Sequence, residues 1–205
     1  MARYTGPRAR VSRRLGVNIF GTMAEAKALD KRPYPPGEHG RGRRRGQPSE
    51  YLMQLQEKQK ARFSYGLSEK QFRNLYEEAN RRPGVTGENM LRYLELRLDN
   101  VVYRAGWGAT RPQSRQFVSH GHVSVNGKRV TIPSYRLRKG DVITMREKAR
   151  DMVVVQWNRE VLDRQPPGWI ESGDGGWSAT VRELPAREQI DVPVREQLIV
   201  ELYSK

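Results

Sequence analysis

The run Arg97 to Thr144, RLDNVVYRAGWGATRPQSRQFVSHGHVSVNGKRVTIPSYRLRKGDVIT, sets the tightest limits on what this chain can fold into. Two short helical patterns precede a hairpin built on Asn126-Gly127, a dipeptide that favours the positive φ values of a two-residue turn. Val123, Val125, Val130 and Ile132 flank that turn in alternation with polar residues, and Lys139-Gly140-Asp141 precedes a further strand, Val142 to Met145. From Thr110, Pro112 occupies a first helical turn, where its missing amide is harmless, and Gly121 ends the helix after His120. The expected product is a compact mixed α and β unit on which basic side chains from separate elements converge, a geometry suited to a folded phosphate backbone.

Charge is distributed unevenly over the 205 residues. Lys plus Arg number 38 against 23 Asp plus Glu, a net charge of +15, which implies a polyanionic partner or an acidic membrane surface. Residues 1 to 45 hold 12 basic and 3 acidic side chains, residues 46 to 96 hold 8 and 7, residues 97 to 150 hold 12 and 3, and the last 55 hold 6 and 10. Two basic surfaces are thus separated by a neutral segment and followed by an acidic one, as in a nucleic-acid binder with defined faces. No run of about 18 apolar residues is present, so no membrane-spanning helix is expected. The basic stretches also lack the bulky apolar face of a helix that adsorbs to a membrane. The first 24 residues carry five arginines and no acid, as a transit peptide would, but Ser12 is their only serine, and Gly6, Pro7, Gly16 and Gly21 interrupt any helix. The absence of cysteine excludes disulfides, thiolate zinc sites and cysteine nucleophiles, and fits a reducing, cytoplasmic location.

Four parts are expected along the chain. Residues 1–45 form a basic N-terminal extension: Val11, Leu15, Val17, Ile19 and Phe20 are too few for a core, and the Pro- and Gly-rich stretch Arg32 to Gly46 is expected to be extended and ordered on a partner. Residues 46–95 form a helical domain. Ser49 is an N-cap for a helix to about Phe63, and Ser68 with Gln71 has the spacing of a capping box ahead of the stripe Phe72, Leu75, Tyr76 and Ala79. Thr86 opens a pattern carrying Leu91, Leu94, Leu98, Val101 and Val102 as the core of that bundle. Residues 96–156 form the RNA-binding module, and 157–192 a loop and strand region packing on it. Val153 to Val155 is read as a strand, Gln165 to Ser178 as a loop and Ala179 to Leu184 as a strand. Residues 193–205, with Val194, Leu198, Ile199 and Leu202 at helical spacing behind Pro193, return to complete the helical domain.

Enzyme signatures are incomplete. Gly106-Trp107-Gly108 lacks the third glycine of a dinucleotide fingerprint, and no Walker loop occurs. His120 and His122 have no second ligand cluster, so no metal, cofactor or small-molecule substrate is expected. Arg97-Leu98-Asp99 matches the tripeptide that bears the nucleophilic aspartate of pseudouridine synthases, but Leu96 stands where glycine is usual, and a salt-bridging or capping Asp99 at a helix start is favoured. Glu77-Glu78, beside Arg73, Arg81 and Arg82, reads as an ion-paired surface.

The positive evidence points to RNA. From the module the candidate contacts are Arg104, Arg111, Gln113, Arg115, Gln116, Ser119, His120, Asn126, Lys128 and Arg129; from the extension they are Arg3, Arg8, Arg10, Arg13, Arg14, Arg41, Arg43, Arg44 and Arg45. Guanidinium and ammonium groups neutralise phosphates, and amides, hydroxyls and imidazole suit phosphate and ribose hydroxyls. Duplex DNA is disfavoured, since neither a recognition-helix pattern nor a dimerisation element is present. On the residues alone three readings stay open: a structural RNA-binding protein, an RNA-modifying enzyme carrying the same small domain, and a free RNA-binding quality-control factor.

Arg97 to Thr144 resembles the domain named after the S-four family of small-subunit ribosomal proteins. The likeness is wider than the domain. The opening MARYTGPRARVSRRLG, Gly37-Glu38-His39-Gly40, YLMQLQEKQKARFSYG at 51 to 66, TGENMLRYLELRLDNVVYRAG at 86 to 106 and the closing EQLIVELYSK all resemble bacterial members, here in a cysteine-free form. The resemblance implies an α+β protein, a helical domain with the mixed module inserted and a basic extended N-terminal segment. It implies a non-catalytic, primary binder of the 5′ domain of small-subunit ribosomal RNA that nucleates assembly of the subunit body. It further implies contact with ribosomal protein S-five and an influence on decoding accuracy, for which the acidic C-terminal third is the candidate surface. Basic residues near the N-terminal domain would line the path by which messenger RNA enters. Many relatives carry a zinc-binding cysteine cluster in the N-terminal segment; without one, Arg32 to Gly46 is expected to be ordered by RNA and proline stiffness.

Overall fold

The computed structural model describes residues 4–42, 47–162 and 164–204, so the expectations for Arg3, Arg43, Arg44 and Arg45 lie outside the described residues. The chain divides into two compact units, one of Met1–Gly87 with Val192–Lys205, the other of Glu88–Asp191. No described helix is long and apolar enough to cross a membrane.

In the first unit the N-terminal segment, expected to be an extension, contains two helices, α1 (Arg8–Leu15) and α2 (Met23–Lys31). Gly16, at φ 71°, ends α1, and the Thr22 hydroxyl caps α2 by accepting from the Glu25 amide at 3.4 Å. The segment is too poor in apolar residues to form a core unaided, and it uses one from elsewhere: Tyr4 and Phe20 pack on Phe63 with ring centroids 5.3 and 6.5 Å apart. Phe63 lies on α3 (Glu50–Ser64), which Ser49 caps through the Leu52 amide. Before α4 (Glu69–Asn80), the Ser68 hydroxyl accepts from the Gln71 amide while Gln71 Oε1 accepts from the Ser68 amide, both at 3.4 Å. Two free amides at the helix start are thereby satisfied, and Phe72, Leu75, Tyr76 and Ala79 are buried.

The C-terminal helix, Glu196–Tyr203, packs back on this bundle. Tyr203 stacks on Tyr76 at 4.7 Å, Gln54 Nε2 donates to Glu201 at 3.1 Å, and the Arg195 amide donates to Glu57 at 3.0 Å. Pro193 and Val194 precede the helix, with Val194 buried and its amide bonded to Val192 O at 2.8 Å.

The second unit holds most of α5 (Thr86–Glu95), then α6 (Leu98–Arg104), α7 (Arg111–Ser119), β1 (Val123–Val125), β2 (Lys128–Arg129), β3 (Val142–Met145), α8 (Glu147–Arg150), α9 (Val153–Leu162), β4 (Ile170–Gly173) and β5 (Ser178–Val181). The strands form one antiparallel sheet in the order β2-β1-β3-β5-β4. Asn126 and Gly127 take φ values of 49° and 77°, the left-handed pair that a tight hairpin turn demands.

Three details differ from the sequence pattern. The helical run from Thr86 breaks at Arg97, which turns extended so that the Leu98 amide bonds Tyr135 O and the Leu137 amide bonds Leu96 O. Leu98, Val101 and Val102 therefore join Trp107, Phe117, Ile143, Met145 and Trp169 in the core of the second unit. Val153 to Val155 is helical, because a short apolar run carries no period that separates strand from helix. Gln165 to Ser178 contains β4, whose Ile170 pairs with Val181.

The capping box gives the first unit a local test. Ser68→Ala should destabilise the protein by about 1 kcal/mol, read as a lower urea midpoint with an unchanged slope.

Candidate nucleic-acid interface

Four arginines of the second unit, Arg97, Arg104, Arg111 and Arg115, are positioned from the inside by buried carboxylates, Arg111 through Asn100. Glu95, at 0% exposure, accepts from Arg104 Nε and Nη2 at 2.9 Å each and from Asn100 Nδ2 at 2.8 Å. Asn100 Oδ1 in turn accepts from Arg111 Nε at 2.8 Å. Asp99 receives Arg97 Nη2 at 2.7 Å and Arg115 Nη1 at 2.9 Å. The face that Arg111 and Arg115 share on α7 is therefore turned towards α6 and oriented by it. Arg111 also lies over the Tyr103 ring at 4.4 Å, beside Arg164 at 3.9 Å, whose Nη1 donates to Tyr103 O and Gly108 O.

These contacts redistribute the candidates. Arg104, expected among the surface cations, is buried between Glu95 and Asp191, to whose Oδ1 it comes within 2.6 Å. Its hydrogen bond holds the Asp191 carboxyl below the ordinary carboxylate range. Gln113 Oε1 accepts from the Ala109 amide at 2.6 Å and from Asn158 at 3.2 Å, inside the fold. Asn126 donates to Asp141 and accepts from the Val142 amide, both at 2.9 Å, locking the hairpin to β3. Asp99, the aspartate of the synthase-like tripeptide, is buried between two guanidiniums.

Gln116, His120, Lys128 and Arg129 are exposed, and Ser119 is partly so. Of these, His120 and Arg129 meet at the end of α7. Arg129 Nη2 donates to His120 O at 3.3 Å and Arg146 Nη1 to Gly121 O at 3.2 Å, so two guanidiniums meet the negative end of the helix dipole. Gly121, at φ 74°, permits the approach, since a Cβ there would stand 2.2 Å from Arg129 Nε. The His120 and His122 rings lie 5.9 Å apart against this pair. Burial first, then His120, Arg146 and Arg129, push the His122 pKa below its usual value. The cluster is built to attract an anion. Arg146 was not among the candidates; only the register Val123↔Met145, which sets the Arg146 amide on His122 O, brings it here.

In the first unit, Arg13 donates through Nε to Arg32 O and Tyr34 O, both at 3.1 Å, and through Nη2 to Pro35 O. It fastens the Pro-rich segment without any partner molecule. Arg8 lies over Phe20 at 5.5 Å, while Arg10, Arg14 and Arg41 are exposed. Among the described residues no group of three or more His, Asp or Glu is placed to hold a metal ion.

The sequence model of the ribosomal protein S4/S9 N-terminal domain matches residues 3–95, and that of the S4 domain matches 96–143. A protein of Rhodococcus opacus (strain B4) named small ribosomal subunit protein uS4 is 58% identical over 206 residues, covering 100% of both chains. The proteins of that name from Mycolicibacterium smegmatis and from a Nocardioides species are 58% and 56% identical over the same span. The chain belongs to the uS4 family. That family is non-enzymatic, in keeping with the bonded Asp99. The S4 domain match stops at residue 143, inside β3, while β5 and β4 carry the same sheet onward.

Two outcomes follow from the interior charges. Removing one partner leaves a buried ion uncompensated, so Arg104→Ala should cost about 3–5 kcal/mol in urea unfolding. His122, whose folded pKa is depressed, takes up a proton on unfolding. Its share of stability is complete above its ordinary pKa and falls as pH drops through it. The melting temperature of His122→Asn should accordingly decline less than that of the wild type between pH 7.5 and 5.5.

Proposed function

We propose that this chain is a structural constituent of the small ribosomal subunit that binds ribosomal RNA and catalyses nothing. The observation that carries the reading is the cluster of Arg129, Arg146, His120 and His122 at the end of α7; Lys128 and Gln116 of the same unit are exposed. Guanidiniums already fixed to backbone carbonyls lose little side-chain freedom when a phosphate arrives, and they read backbone shape more than sequence. The relatives' name, small ribosomal subunit protein uS4, supports the same assignment. The finer reading follows the family resemblance: the RNA is the 5′ domain, binding nucleates the subunit body, and protein S-five is contacted through the acidic C-terminal third with an effect on decoding accuracy. Basic residues near the N-terminal domain would border the messenger path. The four-part division of the chain, with 96–156 as the RNA-binding insertion, belongs to the same proposal.

Affinity for 5′-domain RNA should fall by about 0.7–0.9 log units per log unit of salt for each phosphate neutralised. Lys128→Gln with Arg129→Gln should leave the protein folded and lower that slope by about 1.4–1.8. A folded double variant with the wild-type slope removes the hairpin from the interface.

A further inference from the structure

We propose that the first unit also contains a seat for one unstacked nucleobase with its phosphate, in an open cavity of about 550 Å³ bounded by α1, α2 and the segment that follows α2. The proposal rests on the RNA-binding reading and adds to it a site that recognises a single-stranded nucleotide.

The walls argue for a base. Pro7 and Ala9 line one part, Ala28 and Pro36 another, and none of these side chains is longer than a methyl or a pyrrolidine ring. A groove that took phosphate alone would be lined by donors. Here four cations line the same space beside those small apolar groups: Arg13, whose guanidinium is already bonded to backbone carbonyls, and Arg10, Lys31 and Arg32, all three exposed. Flat apolar walls with cations at hand match the two halves of a nucleotide, a π-face and an anion. The volume falls within the range of about 300–1,000 Å³ that small-molecule sites occupy, and unstacked bases are what proteins take from RNA loops and bulges.

The wall is rigid. Arg13 holds the carbonyls of Arg32, Tyr34 and Pro35 and lies over the Tyr34 ring at 5.0 Å. Gly37, at φ 108°, turns the chain into the single helical turn Glu38–Gly40, where Gly40 comes so close to Pro35 that a Cβ would stand 2.0 Å from Pro35 O. A backbone oxygen cannot move aside as a flexible side chain can. The Gly-Glu-His-Gly motif is thus explained as the brace of this cavity.

The test uses the full chain and 5′-domain ribosomal RNA. Ala28→Phe fills the cavity and should weaken binding about tenfold, the scale of one lost base stack, and restore chemical reactivity at a single-stranded base that the wild type protects. The salt slope should stay at the wild-type value, because no phosphate contact is removed. Lys31→Gln should lower the slope by about 0.7–0.9. A folded Ala28→Phe protein with wild-type affinity and footprint overturns the seat while leaving RNA binding intact; salt-insensitive binding by the wild type overturns the functional reading instead. Should Ala28→Phe fail to fold, crosslinking of the wild type to RNA carrying 4-thiouridine decides. Crosslinks at residues 7–10 or 28–37 support the seat, and their absence there overturns it.

Discussion

Glu95 is the constraint on which the second unit turns. A carboxylate with no exposed surface is tolerated only when every nearby donor is aimed at it, and Arg104 and Asn100 are so aimed. Asn100 passes the orientation to Arg111, and the neighbouring Asp99 does the same for Arg115. Two acids at the end of one helix and the start of the next therefore decide where cations on a third element stand. Such interior pairs contribute little net stability compared with an apolar core of equal size, so their effect is to specify geometry.

Elements written in adjacent residues were legible in the sequence. The Asn126-Gly127 turn, the Ser68 and Gln71 box and the helix start marked by Pro112 each need only a few neighbours to form. Elements that depend on a distant partner were not. Tyr4 and Phe20, which lie on either side of α1, pack on Phe63 far along the chain, and Val153 to Val155 shows no period until its surroundings are known.

The candidate site divides along the same line. Sequence shows that a residue is charged or polar but not which group it meets. Arg104 and Arg129 look alike in the chain, yet one closes an interior ion pair and the other lies on an exposed hairpin. Gln113 and Asn126, plausible RNA donors by type, are engaged by backbone amides of the fold. Arg146 could be found only from strand register, since it is opposite His122 and far from it in sequence.

The return of the C-terminal helix to α3 and α4 orders events during synthesis. Every residue of the second unit, 88–191, is made before the segment 192–205 that closes the first. Because domains fold as they emerge, the sheet unit can reach its final packing while the helical unit still lacks Ile199 and Tyr203, residues that pack into it. The earlier part of the chain is thus the later to finish, and its basic α1 and α2 stand on a scaffold completed only once residues 192–205 have been made.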